Sequence, residues 1–426
     1  MKRVVILCVW LFSEVAGHAQ LSLDECRRLA RENYPEIRQY DLVHQTEQYN
    51  LSNAARAWIP QIAFSAQATW QTDAPNFPKE LTGMLAQQGL EIPGLRKDQY
   101  KVALELNQTI WDGGKSVADK RIARAEAAEQ KTMTDVDLYE LEGRVDDLYF
   151  GILLLDERIA QTNLTLNLLR SNLEKVRALQ RNGVAMQSDA DVLEAELLSV
   201  GQQLIQFESS CDSYRRMLGI FIGQKVGDRK LQRPSAVQPL SGESARPELA
   251  MFAAKIDRLT AQEKMVKSSS MPRLGFFAQG YYGYPGLDYM QSMMNSDWSW
   301  NAMLGVKLSW NFGAYYTQKN NLNKLRISRQ QVEVQRDVFL FNMNLQAAQE
   351  NGDIARLRKA IADDDRIVAL RRSVREAAES KLRNGIIDTH DLLSKITDES
   401  TASMARSMRE IELLKAIYEY KHTINR

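Results

Sequence analysis

One pattern occurs twice along this chain: a strand-like segment that starts at a proline, and a long helical stretch that ends at Asn-Gly. Residues 59–68 and 271–280 share a proline, a phenylalanine, an alanine and a glutamine at a constant offset of 212. The tripeptide Arg-Asn-Gly at 181–183 recurs at 383–385, at an offset of 202. A shared motif order with slightly shifted spacing predicts an internal duplication with drift in loop length. We assign the two repeats and the Gly-, Pro- and Ser-rich connector between them to residues 20–222, 248–426 and 223–247.

The distribution of proline bounds the length of the helices. All ten prolines avoid 94–233 and 286–426, so each of these two stretches can hold a long uninterrupted helix. Asn-Gly is a natural helix stop in each stretch because glycine adopts the left-handed conformation. A helix of roughly 70 residues is on the order of 100 Å long, far longer than the ~25 Å apolar band of an outer-membrane barrel. We predict two long helices and two return helices, at 114–182, 186–220, 313–383 and 388–424.

The helical stretches carry a heptad pattern typical of coiled coils. In the first stretch two apolar series recur every seven residues, and Thr162 is the one polar exception among twelve positions. These series are Leu138, Val145, Ile152, Ile159, Leu166 and Leu173, and Leu141, Leu148, Leu155, Thr162, Leu169 and Val176. The second stretch has a thinner series, Leu340, Ala347, Ile354, Ile361 and Val368, flanked by Ala348, Ala355, Ala362 and Ala369. The flanking alanines predict close helix packing on a second face.

Four segments alternate between apolar and polar residues with a period of two, at about residues 60–72, 98–111, 272–284 and 298–310. Each is about as long as the ~9–11 residues of a membrane-spanning strand. Aromatic residues crowd the strand ends, where an interfacial girdle would place them: Tyr281, Tyr282, Tyr284, Trp298, Trp300 and Trp310. The alternative is a soluble antiparallel sheet with one face on a core.

Four strands leave two open edges and cannot close a barrel, which needs at least about eight strands. Two copies of the chain would supply about eight strands, a barrel normally filled by side chains, and three copies about twelve, wide enough for a lumen. Cyclic symmetry permits either assembly. The strand pattern therefore favours a transmembrane β-barrel built from several copies, with the long helices projecting away from the membrane.

The N-terminus predicts export. Two basic residues precede an apolar core at 4–12 and a small-residue cleavage site, so residues 1–19 form a secretory signal peptide. Their removal takes away Lys2, Arg3 and Glu14, which lowers the basic residues from 55 to 53 and the acidic residues from 54 to 53. The mature chain is then neutral, and no charged field argues for nucleic acid as a partner. No apolar run after the leader is long enough for a transmembrane helix.

Two cysteines remain after removal of the leader, Cys26 and Cys211. One pair is no disulfide framework, and we expect two separate buried thiols. The alternative is a Cys26–Cys211 disulfide, which export permits and which would tie the first helix to the end of the first repeat.

The chain shows no catalytic constellation. His44, His390 and His422 are far apart in sequence and have no metal-ligand spacing. Phosphate-binding loops, nucleophile elbows and zinc-protease motifs do not occur. His390 adjoins Asp391, which leaves a pH-sensitive gate as one interpretation and an ordinary surface histidine as the other. The chain is therefore predicted to be no enzyme and to use no cofactor.

The order of these features resembles the TolC-like outer-membrane efflux proteins, the outer membrane factor family. The resemblance rests on the start of the first helix at 21–26, the two proline-led strand starts and the strand-to-helix joint at 110–114. It also rests on an aspartate six residues after the glycine of each Asn-Gly. The second joint, at 310–314, departs from the pattern because it lacks the double glycine of the first. The resemblance implies a homotrimer, with a transmembrane β-barrel of twelve strands and a periplasmic α-helical barrel of twelve helical segments.

The resemblance also implies where partners bind. Asn182, Gly183, Asn384 and Gly385 would be hairpin tips that contact a periplasmic membrane-fusion adaptor. The tips of such proteins lie at the periplasmic end, where the aperture closes at rest.

The aperture residues implied by the resemblance are Asp391, Ser394 and Asp189. Asp391 would face the lumen and form a three-fold carboxylate ring, which attracts cations and hinders anions. The alternative is that Asp391 is only the N-cap of the return helix. Ser394 stands where such proteins often carry a second acid.

The predicted function is a passive exit duct of a tripartite efflux system. Its partners would be a membrane-fusion adaptor, an inner-membrane pump of the RND or ABC type, and outer-membrane lipid. The predicted location is the outer membrane of a Gram-negative bacterium, with an extension into the periplasm. The alternatives are the exit duct of type I protein secretion, a periplasmic coiled-coil scaffold with a soluble sheet and, further off, an envelope enzyme.

Overall fold

The computed structural model describes residues 20–89, 92–235, 244–384 and 386–425. The predicted signal peptide, residues 1–19, lies outside the described residues. A 3₁₀ turn at Pro35–Arg38 separates the first two helices. In chain order the elements are α1 (Leu23–Asn33), α2 (Gln39–Arg56), β1 (Gln61–Trp70), α3 (Lys79–Gln87), β2 (Asp98–Trp111), α4 (Lys115–Arg181), α5 (Gln187–Ile222), α6 (Pro247–Ser268), β3 (Arg273–Tyr284), α7 (Tyr289–Met294), β4 (Ser299–Ser309), α8 (Ala314–Arg383) and α9 (Thr389–Ile424).

The helices begin and end where local chemistry permits. Helix α5 continues beyond its predicted end to Ile222, where Gly223 adopts a left-handed φ of 71° and its N–H bonds to Gly219 O. The segments that follow β1 and β3 contain the short helices α3 and α7. Helix α7 is capped by Asp288, whose side chain accepts from the N–H of Gln291 at 2.9 Å. Among the described residues, no helix is both long enough and apolar enough to cross a membrane.

The chain divides into two compact units. Of the described residues, the helical unit comprises those within Met1–Tyr40, Thr132–Ala250 and Arg336–Arg426, and the sheet unit those within Asp41–Lys131 and Met251–Gln335. Both units draw on both halves of the sequence, because α4 and α8 each contribute residues to the two units. The spatial division therefore differs from the linear division into repeats.

The sheet unit contains a four-stranded antiparallel sheet in the order β1-β2-β3-β4. Its register places Phe64, Leu104, Gly280 and Ala302 in one row across the four strands. The alternation of the sequence thus sorts the side chains onto two faces. One face is apolar and exposed in the single chain, with Trp300 at 81% exposure. The other exposed apolar residues on this face include Ile62, Phe64, Leu104, Leu304, Val306 and Leu308.

The opposite face of the sheet is polar and carries a ladder between β2 and β3. Lys101 Nζ donates to Gln279 Oε1 at 3.1 Å, and Gln279 Nε2 in turn donates to Glu105 Oε1. Since Glu105 and Gln279 are direct register partners, this ladder joins neighbouring strands on that face.

The aromatic residues at the strand ends are divided between different roles. Trp298 lies 5.3 Å from Tyr282 and 5.7 Å from Tyr100 between ring centroids. Tyr281 and Tyr284, in contrast, are buried, so their assignment to an exposed girdle is wrong for the single chain. Tyr281 lies on the polar face under Lys101 Nζ, at 4.5 Å from its ring centroid. Tyr284 closes the strand end by accepting from the N–H of Arg96 at 2.9 Å.

The helical unit contains three apolar clusters, of which the smallest comprises Ile354, Leu357, Ala416 and Ile417. The α1 cluster packs α1 against α4, α5 and α9 through a set of buried residues that includes Leu23, Cys26, Ala30, Leu138, Val145, Ile152, Leu218 and Ile411. The tip cluster comprises Leu166, Leu169, Leu173, Val176, Ala190, Leu193, Val200, Ala378, Leu392 and Ile396. The α4 heptad supplies the α1 cluster and the tip cluster. Full burial of each leucine contributes roughly 1.5–3 kcal/mol relative to exposure.

The second heptad series behaves differently. Ile354 is buried, but the flanking alanines Ala348, Ala355, Ala362 and Ala369 are exposed. The prediction that these alanines mark close packing is therefore wrong within one chain, because the described part of the molecule places no helix against them.

Candidate functional site

The candidate site is the pair of turns that close the hairpins α4–α5 and α8–α9. In the first turn the N–H of Val184 donates to Leu179 O at 2.9 Å, and the N–H of Gly183 donates to Gln180 O at 2.9 Å. Gly183 has a φ of 75°. This hydrogen-bond pair with a left-handed glycine is a Schellman motif, which satisfies the last carbonyls of α4.

The second turn shares one hydrogen bond of this motif at the equivalent place along the chain. The N–H of Ile386 donates to Lys381 O at 2.9 Å, as Val184 does to Leu179. Asn384 Nδ2 also donates to Ser380 O at 3.0 Å. The predicted tip residue Gly385 lies outside the described residues. Asn182, Gly183 and Asn384 are all exposed at the ends of their hairpins.

The two return helices begin with different caps. In α5 the carboxylate of Asp189 accepts from the N–H of Met186 at 2.8 Å. In α9 the cap is Asp388, whose Oδ1 accepts from the N–H of Asp391 at 2.8 Å. The alternative that Asp391 is the N-cap of α9 is therefore wrong, because Asp388 occupies that position.

Asp391 and Ser394 lie one turn apart on the exposed face at the start of α9. Within the described ranges the carboxylate of Asp391 has no hydrogen bond or ion pair. Its neighbour Leu392 is fully buried in the tip cluster, so the backbone that carries Asp391 is firmly held. Asp391 thus presents a negative charge to solvent from a fixed position at the hairpin end.

Ion pairs join the two hairpins next to the tip cluster. Lys175 Nζ on α4 lies 3.3 Å from Glu379 Oε2 on α8. Arg375 bonds both Glu379 and Glu399 of α9, and all three of these side chains are largely buried. Burial acts to raise the pKa of Glu379, but the hydrogen bond from Arg375 and the charge of Lys175 outweigh it and hold the pKa below its usual value.

The cysteines lie away from the turns. Cys26 and Cys211 are both buried free thiols in the α1 cluster. Burial raises the pKa of Cys26 to about 12, which keeps it protonated. Cys211 Sγ lies 3.3 Å from Asp156 Oδ1 and accepts from Arg215 Nε at 3.3 Å. The structure therefore contains two separate thiols.

Comparison with known proteins relates the chain to a protein family. Residues 27–223 match the model of the outer membrane efflux protein family. This part of the chain is similar to the outer membrane efflux protein family. The resemblance to TolC-like efflux proteins is confirmed, and the predicted efflux role and outer-membrane location are those of the family and its channels. No curated protein matches the chain.

Solved channels share the fold of this chain along nearly its full length. The outer-membrane channel OprN is 14% identical, with a TM-score of 0.70 over 94% of this chain and 89% of that chain. VceC from Vibrio cholerae is 14% identical, with a TM-score of 0.67 over 94% of this chain and 95% of that chain. CmeC of Campylobacter jejuni is 14% identical, with a TM-score of 0.65 over 94% and 85%. At 14% identity, the similarity to these channels establishes a shared fold and nothing further.

Two features near the hairpin turns were not predicted from the sequence. Asp388 precedes Asp391 by three residues, the spacing at which an N-cap side chain meets the third backbone N–H of a helix. The sequence therefore carries a local signal for this cap. The Arg375–Glu399 pair, by contrast, joins residues on two different helices, and no local pattern marks it. Among the described residues no group of three or more His, Cys, Asp or Glu side chains forms a metal site.

Proposed function

We propose that three copies of this chain form a passive conduit through the outer membrane and periplasm. The observation that carries the proposal is the sheet: four strands, open edges at β1 and β4, and one exposed apolar face. Apolar side chains facing outward and polar side chains facing inward are typical of outer-membrane barrels. Three sheets joined edge to edge would supply about twelve strands and leave a lumen.

The exposed face of α8 supports assembly into a trimer. Its four flanking alanines would permit close approach of a neighbouring helix. Large apolar side chains on the part of α8 in the helical unit are also exposed in the single chain: Val338, Phe341, Leu345, Ile367, Leu370 and Val374. Contact between copies would remove these side chains from water.

A duplication of an ancestral half explains the order of the elements. Strands β1 and β3 begin at Gln61 and Arg273, which are equivalent positions of the two proline-led segments. The turn bonds Val184–Leu179 and Ile386–Lys381 likewise occupy equivalent positions after the two Arg-Asn-Gly tripeptides. Equivalent local geometry at both places supports two repeats, at 20–222 and 248–426, joined by the connector 223–247.

The hairpin ends would dock a periplasmic membrane-fusion adaptor. Their exposed residues Asn182, Gly183 and Asn384 sit on turns braced by the tip cluster. An inner-membrane pump of the RND or ABC type would supply the energy. Three copies of Asp391 would form a carboxylate ring that attracts cations, whereas Asp189 serves mainly to cap α5.

The mass of the purified, full-length mature protein in detergent tests this proposal. A species near three protomer masses that stays in the membrane fraction through carbonate extraction is expected. A monomer released by carbonate would contradict the conduit and would favour a periplasmic coiled-coil scaffold.

A further inference from the structure

The polar residue of the α4 heptad marks a break in the core of the helical unit. Thr162 is only 2% exposed, and its hydroxyl has no hydrogen-bond partner among the described residues. A buried hydroxyl without a hydrogen-bond partner destabilises the folded state, because it loses its bonds to water. Such a group in a native core points to something that satisfies it, such as a bound molecule or an ordered water.

The break lies between the α1 cluster and the tip cluster. On α4 the α1 cluster extends to Ile159, and the tip cluster begins at Leu166. Polar pairs cross to α9 at this level: Thr165 Oγ1 lies 2.6 Å from Ser400 Oγ, and Gln161 Nε2 donates to Ser407 Oγ at 3.2 Å. The apolar core is therefore interrupted across neighbouring helices at one height.

A cavity of about 390 Å³ occupies this interruption. Its size falls within the ~300–1,000 Å³ of small-molecule sites. Helices α4, α5 and α9 line it, with hydroxyl groups from Thr162, Thr165, Thr397, Ser400 and Thr401. Leu169, Val200 and Ile396 form its apolar wall.

The charge on the cavity lining is negative. Glu196 is the single ionisable residue that lines it, and this half-buried carboxylate has no ion-pair partner among the described residues. The neighbouring cation, Arg158, lies beyond Thr162 on α4, where its Nε donates to Met408 Sδ at 3.3 Å. Arg158 is not among the residues that line the cavity.

Two thioethers make the remaining wall adaptable. Met404 and Met408 lie one turn apart on α9, and both line the cavity. Methionine side chains are flexible and polarisable, and they accommodate apolar or aromatic groups of varied shape.

We propose that this cavity binds a small cationic amphiphile: its ammonium or amidinium group would pair with Glu196, its apolar body would pack on the methionines and Leu169, and a polar group would satisfy Thr162. The ligand class follows from an unpaired carboxylate, an unpaired hydroxyl and an apolar wall in one cavity. The site is distinct from the exposed hairpin turns and from their proposed aperture ring.

Ethidium binding to the purified full-length protein in detergent tests the proposal, since ethidium is a fluorescent cation of suitable size. The expected result is saturable binding at one site per protomer. Glu196→Gln should weaken it about tenfold or more, because the substitution removes the charge that pairs with the cation. Glu208→Gln, on the exposed face of the same helix, is the matched control and should leave binding unchanged.

A second variant and a neutral probe distinguish a specific loss of cation binding from misfolding of the variant. Ala405→Leu fills the cavity and should abolish binding of ethidium and of the neutral probe N-phenyl-1-naphthylamine, whereas Glu196→Gln should spare the neutral probe. Absence of saturable ethidium binding to the wild type would show a hydrated packing gap and overturn the proposal. Equal binding by wild type and Glu196→Gln would also overturn it. The binding measurement does not depend on conductance.

Discussion

Asp189 and Asp391 occupy equivalent positions at the start of the two return helices, but only the carboxylate of Asp189 accepts a hydrogen bond within the described chain. Asp189 accepts from the N–H of Met186 at 2.8 Å. Asp391 leaves capping to Asp388, which accepts from its N–H at 2.8 Å. In α5 the carboxylate at the third helical position accepts from the N-cap backbone, whereas in α9 the N-cap carboxylate accepts from the backbone of the third position. The second hairpin therefore has a free carboxylate to offer a lumen.

This asymmetry predicts different effects for two matched substitutions. Asp391→Asn should reduce the cation preference and cation block of the channel, because it removes the negative charges of the proposed ring. Asp189→Asn should instead lower thermal stability, by roughly 0.5–1 kcal/mol, because the amide is a weaker acceptor at a helix start. Single-channel recording and thermal unfolding in detergent measure the two effects. Unchanged cation block in Asp391→Asn would refute the ring.

The first turn predicts a cost for losing its glycine. Gly183→Ala should destabilise the protein by roughly 1 kcal/mol, because alanine is strained at a φ of 75°. A Cβ at this position meets no atom within 4 Å, so the cost is conformational rather than steric. Gly201→Ala is the control: Gly201 lies inside α5 with equally open space, and alanine there should stabilise the helix. Equal shifts in melting temperature for both variants would contradict this account.

The polar break predicts opposite outcomes for two threonines three residues apart. Thr162→Val should raise the stability of the ligand-free protein by about 1 kcal/mol, because it removes an unsatisfied buried hydroxyl. Thr165→Val should lower it by a similar amount, because the Thr165 hydroxyl donates to Gln161 O and meets Ser400 Oγ. Thermal unfolding without added ligand measures both. A loss of stability in Thr162→Val would mean that a bound water already satisfies its hydroxyl.

His422 predicts a pH dependence of stability. Burial, together with the charges of Arg246 and Arg27, lowers the pKa of His422 from 6.5 to about 4. Its imidazole stacks on Tyr139 with 4.1 Å between ring centroids. Since the unfolded chain binds the proton more tightly, this contribution is complete above pH 6.5 and is lost as the pH falls towards 4. It amounts to ~3 kcal/mol at most.

Melting temperatures at pH 7 and pH 5 test the His422 prediction. Wild type should lose more stability between these values than His422→Gln, which has no titrating group at that position. His390→Gln, at the exposed start of α9, is the control and should retain the wild-type difference. The prediction fails if His422→Gln shows the same loss as wild type.

The elements could be located from the sequence because their signals are local. The heptads of α4 set its buried positions, and glycines at 183 and 223 end α4 and α5. The burial of Tyr281 and Tyr284 could not be foreseen in this way, since it depends on strand register and on the segments that fold over the strand end. The cap at Asp388 was accessible to sequence analysis, because a helix start with acids three residues apart is a local signal.

The long-range parts of the candidate site required three-dimensional placement. Lys175 and Glu379 belong to different repeats of the sequence and lie 3.3 Å apart. Thr162 is another example. The sequence shows it only as the one polar residue in the heptad series, whereas the structure places it at a cavity between two apolar clusters. The alanines of α8 predict a closely packed partner helix, but they are exposed in the single chain.

Single-channel conductance of the purified oligomer in a planar bilayer tests the central claim most directly. The account predicts discrete, reproducible conductance steps from a species of three protomer masses, because three sheets would enclose a water-filled lumen. A stable trimer that inserts into the bilayer and never conducts, even after an adaptor is added, would contradict the conduit.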